Sequence, residues 1–346
     1  MKISDNPLIN RQVLLKSRPA AIPQADNFEI IESRVPEPGP GQVLVRNLYL
    51  SVEPAMRGWV NAAANYSEPV AIGAVMRSFA AGEIVVSNDP AWPVGTLVTG
   101  LFGWQDFAVI EPKTIQRRVD DAGLQLSTAL GVLGINGLTA HFGLLQIGQP
   151  KPGETVVVST AAGSVGSCVG QIAKLRGCRS IGIAGGETKR RLCLDRFNFD
   201  AAVDYKSADF QRQLAAACQG GVDVYFDNTA GPISDAVMAH LNPGARIVIC
   251  GTASVASWEP FPSGPRVERH LLVKRARMQG FVIFDHAEHF DAARRDLVQW
   301  LRSGQLQYVE EVLEGIHHAP DAIAGLYRGE NLGKRLISLA ADAQLT

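Results

Sequence analysis

Neither sign of charge dominates this 346-residue chain: 33 Lys and Arg stand against 34 Asp and Glu, a formal net charge of -1. Nothing in that balance draws the chain to nucleic acid or to an anionic membrane surface. The densest basic stretch, Arg266, Arg269, Lys274, Arg275 and Arg277, reads as a solvated or interface-rim face. Cysteine is scarce. The five residues, Cys168, Cys178, Cys193, Cys218 and Cys250, are odd in number and lack CxxC spacing. That argues against a disulfide framework and leads us to expect a reducing, cytoplasmic setting. No apolar run is long enough to span a bilayer. The opening segment from Met1 to Pro7 has neither an apolar core nor a small-residue cleavage site, so it does not read as a signal peptide.

Metal and nucleophile motifs are absent too. The histidine pairs His286/His289 and His317/His318 match neither H-E-x-x-H nor H-x-x-E-H. No Cys, Asp or Glu set is spaced to complete a tetrahedral site, so surface or capping roles are the default for these histidines. There is no G-x-S-x-G, and no cysteine sits in a recognisable Cys–His motif. Metal-assisted and covalent catalysis therefore lack support in the sequence.

What is present is a chain of ordinary globular composition, 46% hydrophobic and 19% charged, long enough for two domains. The first part is β-rich. Strands are expected at Gln12–Leu15, Phe28–Ile31, Val43–Val52, Ile84–Val86 and Thr96–Val98, with Pro and Gly punctuation between them. Short strands without long helices suggest a compact barrel-like or sandwich domain. Beyond Leu126 the pattern changes. Strands at Thr155–Ser159, Ser180–Ala184, Ala201–Val203, Val222–Phe226, Arg246–Cys250 and Gln279–Ile283 alternate with helical segments such as Ala208–Cys218 and Ser234–Leu241. That alternation predicts a doubly wound parallel sheet. A helix from about His289 to Arg302 follows. A last strand, Leu336–Leu339, is expected to rejoin the first domain.

The strongest motif is the turn Ser159-Thr160-Ala161-Ala162-Gly163-Ser164-Val165-Gly166, an A-x-G-x-x-G after a strand and before a helix. Val165, Cys168, Val169 and Ile172 recur at i, i+3, i+4 and i+7, and Gly177 stands where a glycine ends a helix. Gly163 lets backbone approach a pyrophosphate. Gly166 lets the helix pack closely on the sheet, and the free N–H groups at the helix start face the phosphates. Dinucleotide binding is the reading these residues support.

An NAD site places an acid about twenty residues on, at the tip of the second strand. Here that strand ends at Gly185-Gly186 with no acid at its tip. Glu187 comes one residue later, followed at once by Lys189, Arg190 and Arg191. Cations there suit a 2′-phosphate, which points to NADP(H) with Lys189 as first candidate. A helix with basic residues facing solvent would show the same pattern.

These residues sit inside a longer resemblance. Segments along nearly the whole chain resemble the zinc-independent medium-chain dehydrogenase/reductases, specifically the leukotriene/prostaglandin and curcumin reductase group. They include Leu50-Ser51-Val52-Glu53-Pro54-Ala55-Met56-Arg57-Gly58, Gly103-Trp104-Gln105-Asp106 and Gly137-Leu138-Thr139-Ala140. They continue with Gly170-Gln171-Ile172-Ala173-Lys174-Leu175, Phe226-Asp227-Asn228, Met278-Gln279-Gly280-Phe281 and Asn331-Leu332-Gly333-Lys334. The resemblance implies an α/β fold: a doubly wound parallel Rossmann sheet, 127–304, with a β-rich GroES-like barrel domain, 1–126 and 305–346. It implies a homodimer that uses NADPH to reduce enones and enals. By position, Ala162, Gly163, Ser164, Val165 and Gly166 would hold the pyrophosphate. Lys189 and Tyr205 would hold the adenosine phosphate end. Asn228, the loop Cys250, Gly251, Thr252, Ala253 and Ser254, then Phe281, Val282, Ile283 and Asn331 would line the rest.

Reducing an enone requires hydride at the β-carbon and a donor for the charge that develops on the carbonyl oxygen. Similar proteins often carry a tyrosine after the Asp-Pro of Ser-x-Asp-Pro-Tyr-Met-Arg, and a Tyr-Asn in the loop after the Cys-Gly pair. This chain has Ala55 at the first place and no tyrosine at the second. One phenol is left in a similar setting, Tyr66 in Asn65-Tyr66-Ser67-Glu68-Pro69-Val70. Tyr66 is therefore the nominated proton donor, with the ribose hydroxyl or water as alternatives. Quinone reduction, and an NADPH-binding module with little catalysis, are the competing readings.

Overall fold

The computed structural model describes residues 9–62, 67–121, 123–255 and 262–339. The chain forms two compact units. One comprises Met1–Leu130, Glu310–Asn331 and Arg335–Thr346, and the other Gly131–Val309 and Leu332–Lys334.

The first unit is antiparallel. β1 (Ile9–Leu15) and β2 (Phe28–Arg34) make a two-stranded sheet of their own. β3 (Val43–Ser51) is the longest strand of the larger sheet, and β4 (Ala80–Ser87) lines one of its sides. β5 (Leu97–Gly100) extends the sheet beyond β4, and β7 (Ile115–Arg118) closes that end. β6 (Phe107–Ile110) pairs with β3 over Val43–Arg46. Val13, Val43, Val45, Leu50, Ile84 and Trp104 are fully buried inside this unit.

The second unit is parallel throughout. Its strands are β8 (Thr155–Ser159), β9 (Arg179–Ala184), β10 (Ala201–Asp204), β11 (Val222–Asp227), β12 (Leu241–Ile249) and β13 (Arg277–Gly280). They lie in the order β10-β9-β8-β11-β12-β13. The chain starts in the middle, winds out one way, returns and winds out the other. The crevice where the order reverses, at the carboxyl ends of β8 and β11, is where such sheets take a dinucleotide. β8 is buried at all five positions, with Val156, Val157 and Val158 at 0% exposure. A central strand covered on both faces reads as a continuous apolar run for this reason. Each of those valines contributes about 1.5–3 kcal/mol of burial.

The helix Ser164–Leu175 follows β8. The i, i+3, i+4, i+7 set is buried at Cys168, Val169 and Ile172, while Val165 at the helix start is half-buried. Gly166, Ser167, Gly170, Gln171 and Ala173 are buried as well, because the helix Ile135–Phe142 packs along its other flank. Gly177, at φ +74, takes the left-handed turn that ends it.

Several expected elements differ in their bounds: the strand expected at Arg246–Cys250 already starts at Leu241, and two others bear on the groove. The strand placed at Gln279–Ile283 stops at Gly280, because its partner β12 leaves the ladder at Ile249, opposite Gly280. Phe281 and Val282 are thereby released, and Ile283 opens a 3-10 stretch to His289. The helix placed at Ser234–Leu241 runs Gly231–Met238 instead. Pro232 starts it, and Leu241 already belongs to β12.

The last described strand, β15 (Lys334–Ser338), pairs antiparallel with Tyr49–Ser51 of β3, next to β14 (Glu310–Glu314). A Cβ built on Gly170 would lie 1.9 Å from the Phe199 ring. Gly170→Ala should therefore lower stability by about 1–3 kcal/mol in a urea titration, and Phe199→Leu in the same chain should recover much of the loss.

Candidate cofactor groove

The turn after β8 is tight. Thr160 takes φ +55, Ala161 N–H donates to the Ile183 carbonyl at 3.0 Å, and Gly163 N–H donates to the Thr160 carbonyl at 2.9 Å. Ala161, which stands where the first glycine is usual, is fully buried and rests against Gly182, where an added Cβ would come within 2.8 Å of the Ala161 methyl. A Cβ on Gly166 would lie 2.3 Å from the Thr160 carbonyl oxygen. The helix can start this close to the strand only without a side chain there.

The first intrahelical bond is Ser167 N–H to the Gly163 carbonyl, at 3.0 Å, and no side chain caps the helix start. The N–H groups of Ser164, Val165 and Gly166 thus precede the helical ladder and carry the positive end of the helix dipole. Ala162 is buried, and its carbonyl accepts from Gly333 N–H at 3.0 Å. Gly333 forms a parallel bridge with Gly163. Asn331 stands two residues before it in the chain.

On the β9 side, Gly185 and Gly186 form the strand tip. Nothing lies within 4 Å of a Cβ built on Gly186. The Tyr205 ring lies against Gly185, where an added Cβ would meet it at 2.8 Å. The strand itself ends without an acid, as the sequence has it, but the neighbouring strand brings one beside its tip. Asp204, at the end of β10, accepts from Gly186 N–H at 2.8 Å and from Lys206 N–H at 2.9 Å. Its distance in sequence hid it, since the residue reaches the tip from the neighbouring strand. Arg190 forks onto both oxygens of Glu187, at 2.6 and 2.8 Å, and Arg191 adds a bond at 2.8 Å. These hydrogen bonds hold the Glu187 carboxyl down at about 2. Lys189 is half-buried on the same short helix, Glu187–Arg191.

On the β11 side, Asn228 donates through its side-chain amide to the Ser159 carbonyl at 2.7 Å, and through its backbone N–H to the Ser159 hydroxyl at 2.8 Å. The loop after β12 is laced over the loop after β11. Cys250 and Gly251 N–H groups donate to the Asp227 carbonyl at 2.8 and 3.1 Å, Ala253 N–H to the Asn228 carbonyl at 3.2 Å, and Ser254 N–H to the Thr229 carbonyl at 3.0 Å. Thr252 is half-buried between them in sequence. Phe281 packs its ring where a Cβ on Gly143 would sit 2.6 Å away. Val282 is half-buried and Ile283 is 8% exposed.

The structure thus gathers Ala162 to Gly166, Asn228 and the Cys250–Ser254 loop around the carboxyl ends of β8, β11 and β12, with Lys189 and Tyr205 beyond the tip of β9. A glycine-lined cradle with an uncapped helix start fits a pyrophosphate, and the open, cation-flanked tip fits an adenosine phosphate. Tyr66 lies outside the described residues, as does Ala256 at the end of the 250–256 loop. Sequence reasoning assigns no role to the side chains of Asp204, Asp227 and Ser159, because their work is to hold backbone. It assigns none to Tyr327 in the first unit either. Its hydroxyl donates to the Pro54 carbonyl at 3.0 Å, beside Ala55, and the Arg57 guanidinium sits 4.9 Å from its ring centroid. Its only signal was its residue type.

Among the described residues no group of three or more His, Cys, Asp or Glu is placed to hold a metal ion. His286 stacks on Phe142 at 5.1 Å, and the rings of His317 and His318 lie 4.2 Å apart.

Fold and groove together define a medium-chain oxidoreductase. Residues 11–117 match the family described as N-terminal domain of oxidoreductase, and residues 164–301 the family described as zinc-binding dehydrogenase. The NADPH-dependent curcumin reductase of Escherichia coli is 42% identical over 96% of this chain and 98% of its own length. The NADP(+)-dependent 2-alkenal reductase of Nicotiana tabacum is 35% identical over 96% and 98%. The crystal structure of CurA from Vibrio vulnificus in complex with NADPH superposes with a TM-score of 0.89, at 44% identity, covering 95% of this chain and 98% of that one. The chain belongs to this zinc-independent, NADP-dependent reductase group of the medium-chain dehydrogenase/reductases.

Burial pushes the thiols of Cys168, Cys193 and Cys250 up to about 12, and those of Cys178 and Cys218 to about 11. A thiol must ionise to react. The native protein at pH 8 should therefore resist iodoacetamide and keep its activity, whereas all five cysteines should be alkylated in denaturant. Rapid labelling of a native cysteine, read by mass spectrometry, would contradict this.

Proposed function

We propose that the protein uses NADPH to reduce the C=C bond of small α,β-unsaturated ketones and aldehydes. The observation that carries the cofactor half is the uncapped helix start at Ser164–Gly166, set in a cradle that a side chain at Gly166 would fill. The N–H groups of Ser164, Val165 and Gly166 orient the pyrophosphate, with Ala162 and Gly163 forming the turn beneath it. Lys189 supplies the charge for the 2′-phosphate, beside Arg190, which forks onto Glu187, and Arg191, which gives it one bond. Tyr205 offers its ring to the adenosine end. Asn228, the Cys250–Ser254 loop, Phe281, Val282, Ile283 and Asn331 bound the nicotinamide end. When bound, NADPH supplies the hydride.

The reaction half rests on the kinship with curcumin and 2-alkenal reductases. The chain's own task is to hold a proton where charge gathers on the carbonyl oxygen. Tyr66 is the proposed donor. Ala55, in place of a tyrosine, leaves a wider and less polar wall, which suits bulkier or more apolar alkenes. A location in the cytoplasm agrees with five free thiols. We infer a homodimer from β13, which among the described residues pairs only with β12 and leaves one sheet edge open, and from Leu272 and Val273 on the preceding helix, 78% and 54% exposed.

Stopped-flow oxidation of NADPH across a panel of enones, enals and quinones tests the reading. Turnover of enals and enones well above quinones is expected, and tight NADPH binding without turnover would replace the enzyme reading by a binding one. Tyr66→Phe should lower kcat/KM for an enone tenfold or more, about 1.4 kcal/mol. A loss in Tyr327→Phe with none in Tyr66→Phe would move the donor role to the other phenol. Lys189→Ala should raise the Kd for NADPH about tenfold, on the order of one charged contact, and leave NADH unchanged in a fluorescence titration.

A further inference from the structure

The carboxylate of Asp227 is the most heavily hydrogen-bonded side chain at the carboxyl edge of the parallel sheet, and it is only 1% exposed. Its Oδ1 accepts from the Tyr225 hydroxyl at 3.0 Å and the Thr229 N–H at 2.9 Å. It also accepts from the Thr229 hydroxyl at 3.2 Å, the Ala230 N–H at 2.9 Å and the Ser159 hydroxyl at 3.3 Å. Its Oδ2 is buried and has no partner among the described residues. No ion pair reaches the group among those residues either, so dipoles alone hold it. Its charge is felt nearby. After burial itself, Asp227 is the next cause that raises the Cys250 thiol and the Asp235 carboxyl.

A buried, unpaired carboxylate is costly, and fold stability alone would be served as well by apolar packing. What the group does locally is specific. Two of its donors, Thr229 and Ala230 N–H, fix the turn after β11, where Ala230 takes φ +56. A third, the Ser159 hydroxyl, is the same atom that accepts the Asn228 N–H. Asn228 is therefore held from both sides, by Ser159 at its backbone and by the turn that Asp227 clamps. The Thr229 and Ala230 carbonyls in turn accept the Ser254 hydroxyl at 2.7 and 2.9 Å, which ties down the loop after β12. Every element in this network belongs to the half of the sheet built from β8, β11 and β12. None belongs to the β9–β10 half, where Lys189 and Tyr205 stand.

We propose that Asp227 is a positioning residue for the nicotinamide half of the groove alone. It sets Asn228 and the Cys250–Ser254 loop and leaves the adenosine half untouched. The inference rests on the cofactor reading given above. The two halves can be probed apart, because adenosine 2′,5′-bisphosphate fills the adenosine end and lacks the nicotinamide.

Asp227→Asn keeps the shape but presents a neutral oxygen, and a donor nitrogen, to a ring of donors. It should raise the Kd for NADPH at least tenfold, leave the Kd for adenosine 2′,5′-bisphosphate within twofold, and raise the KM for NADPH more than that for the alkene. Ser159→Ala removes the relay to Asn228. It should shift the same way by a smaller factor, and it carries the test should Asp227→Asn fail to fold. Equal losses for both ligands, or an unchanged Kd for NADPH in the folded variants, would overturn the proposal. If the unmodified protein binds the bisphosphate no more tightly than AMP, the cofactor reading itself fails.

Discussion

Three glycines allow the approach on which the groove depends. At Gly166, Gly170 and Gly182 an added Cβ would come within 3 Å of Thr160, Phe199 and Ala161 respectively. Their absence of side chains lets the helix Ser164–Leu175 lie close against β8 and β9, and lets its first turn start almost at the strand end. Were the helix displaced by the width of a methyl group, its unpaired N–H groups would no longer face the crevice at a useful distance. The interior is close-packed enough that such a shift would not stay local.

Around that fixed point the second unit divides its electrostatics. The β9 side is open and cationic, with Arg190 and Arg191 held by Glu187 and with Lys189 on the same turn. The β11 side carries the buried carboxylate of Asp227, whose Oδ1 is held by hydroxyl and amide dipoles. The proposed placement of the cofactor sets its phosphate-bearing end on the open side and its nicotinamide end on the hydrogen-bonded side, and a frame fixed by hydrogen bonds costs little reorganisation when charge moves.

Elements with a strong local period were legible in the sequence. The valine run of β8, the 3.6-residue repeat of the following helix, and Gly177 at its end each follow from chain-local physics. The cradle was legible because its glycines are required by close approach. The end of β13 was not. Phe281, Val282 and Ile283 have strand-forming side chains, yet a strand persists only as far as its partner, and β12 turns away at Ile249. Asp204 and Asp227 were illegible for another reason. Their role is to accept backbone N–H groups brought near by the fold, and no spacing rule marks such an acceptor. Tyr327 comes beside Pro54 across 273 positions of sequence, a juxtaposition that no local pattern contains.

The bond from Gly333 N–H to the Ala162 carbonyl joins positions near the two ends of the second unit's sequence. A ribosome releases Ala162 long before Gly333, so during synthesis this carbonyl must wait for its donor while more than a hundred and fifty intervening residues emerge. The turn is therefore closed on that side only once Gly333 is in place. Gly333, at φ +65 and with a Cβ position only 2.0 Å from the Val309 carbonyl oxygen, accepts no larger residue as the closing piece.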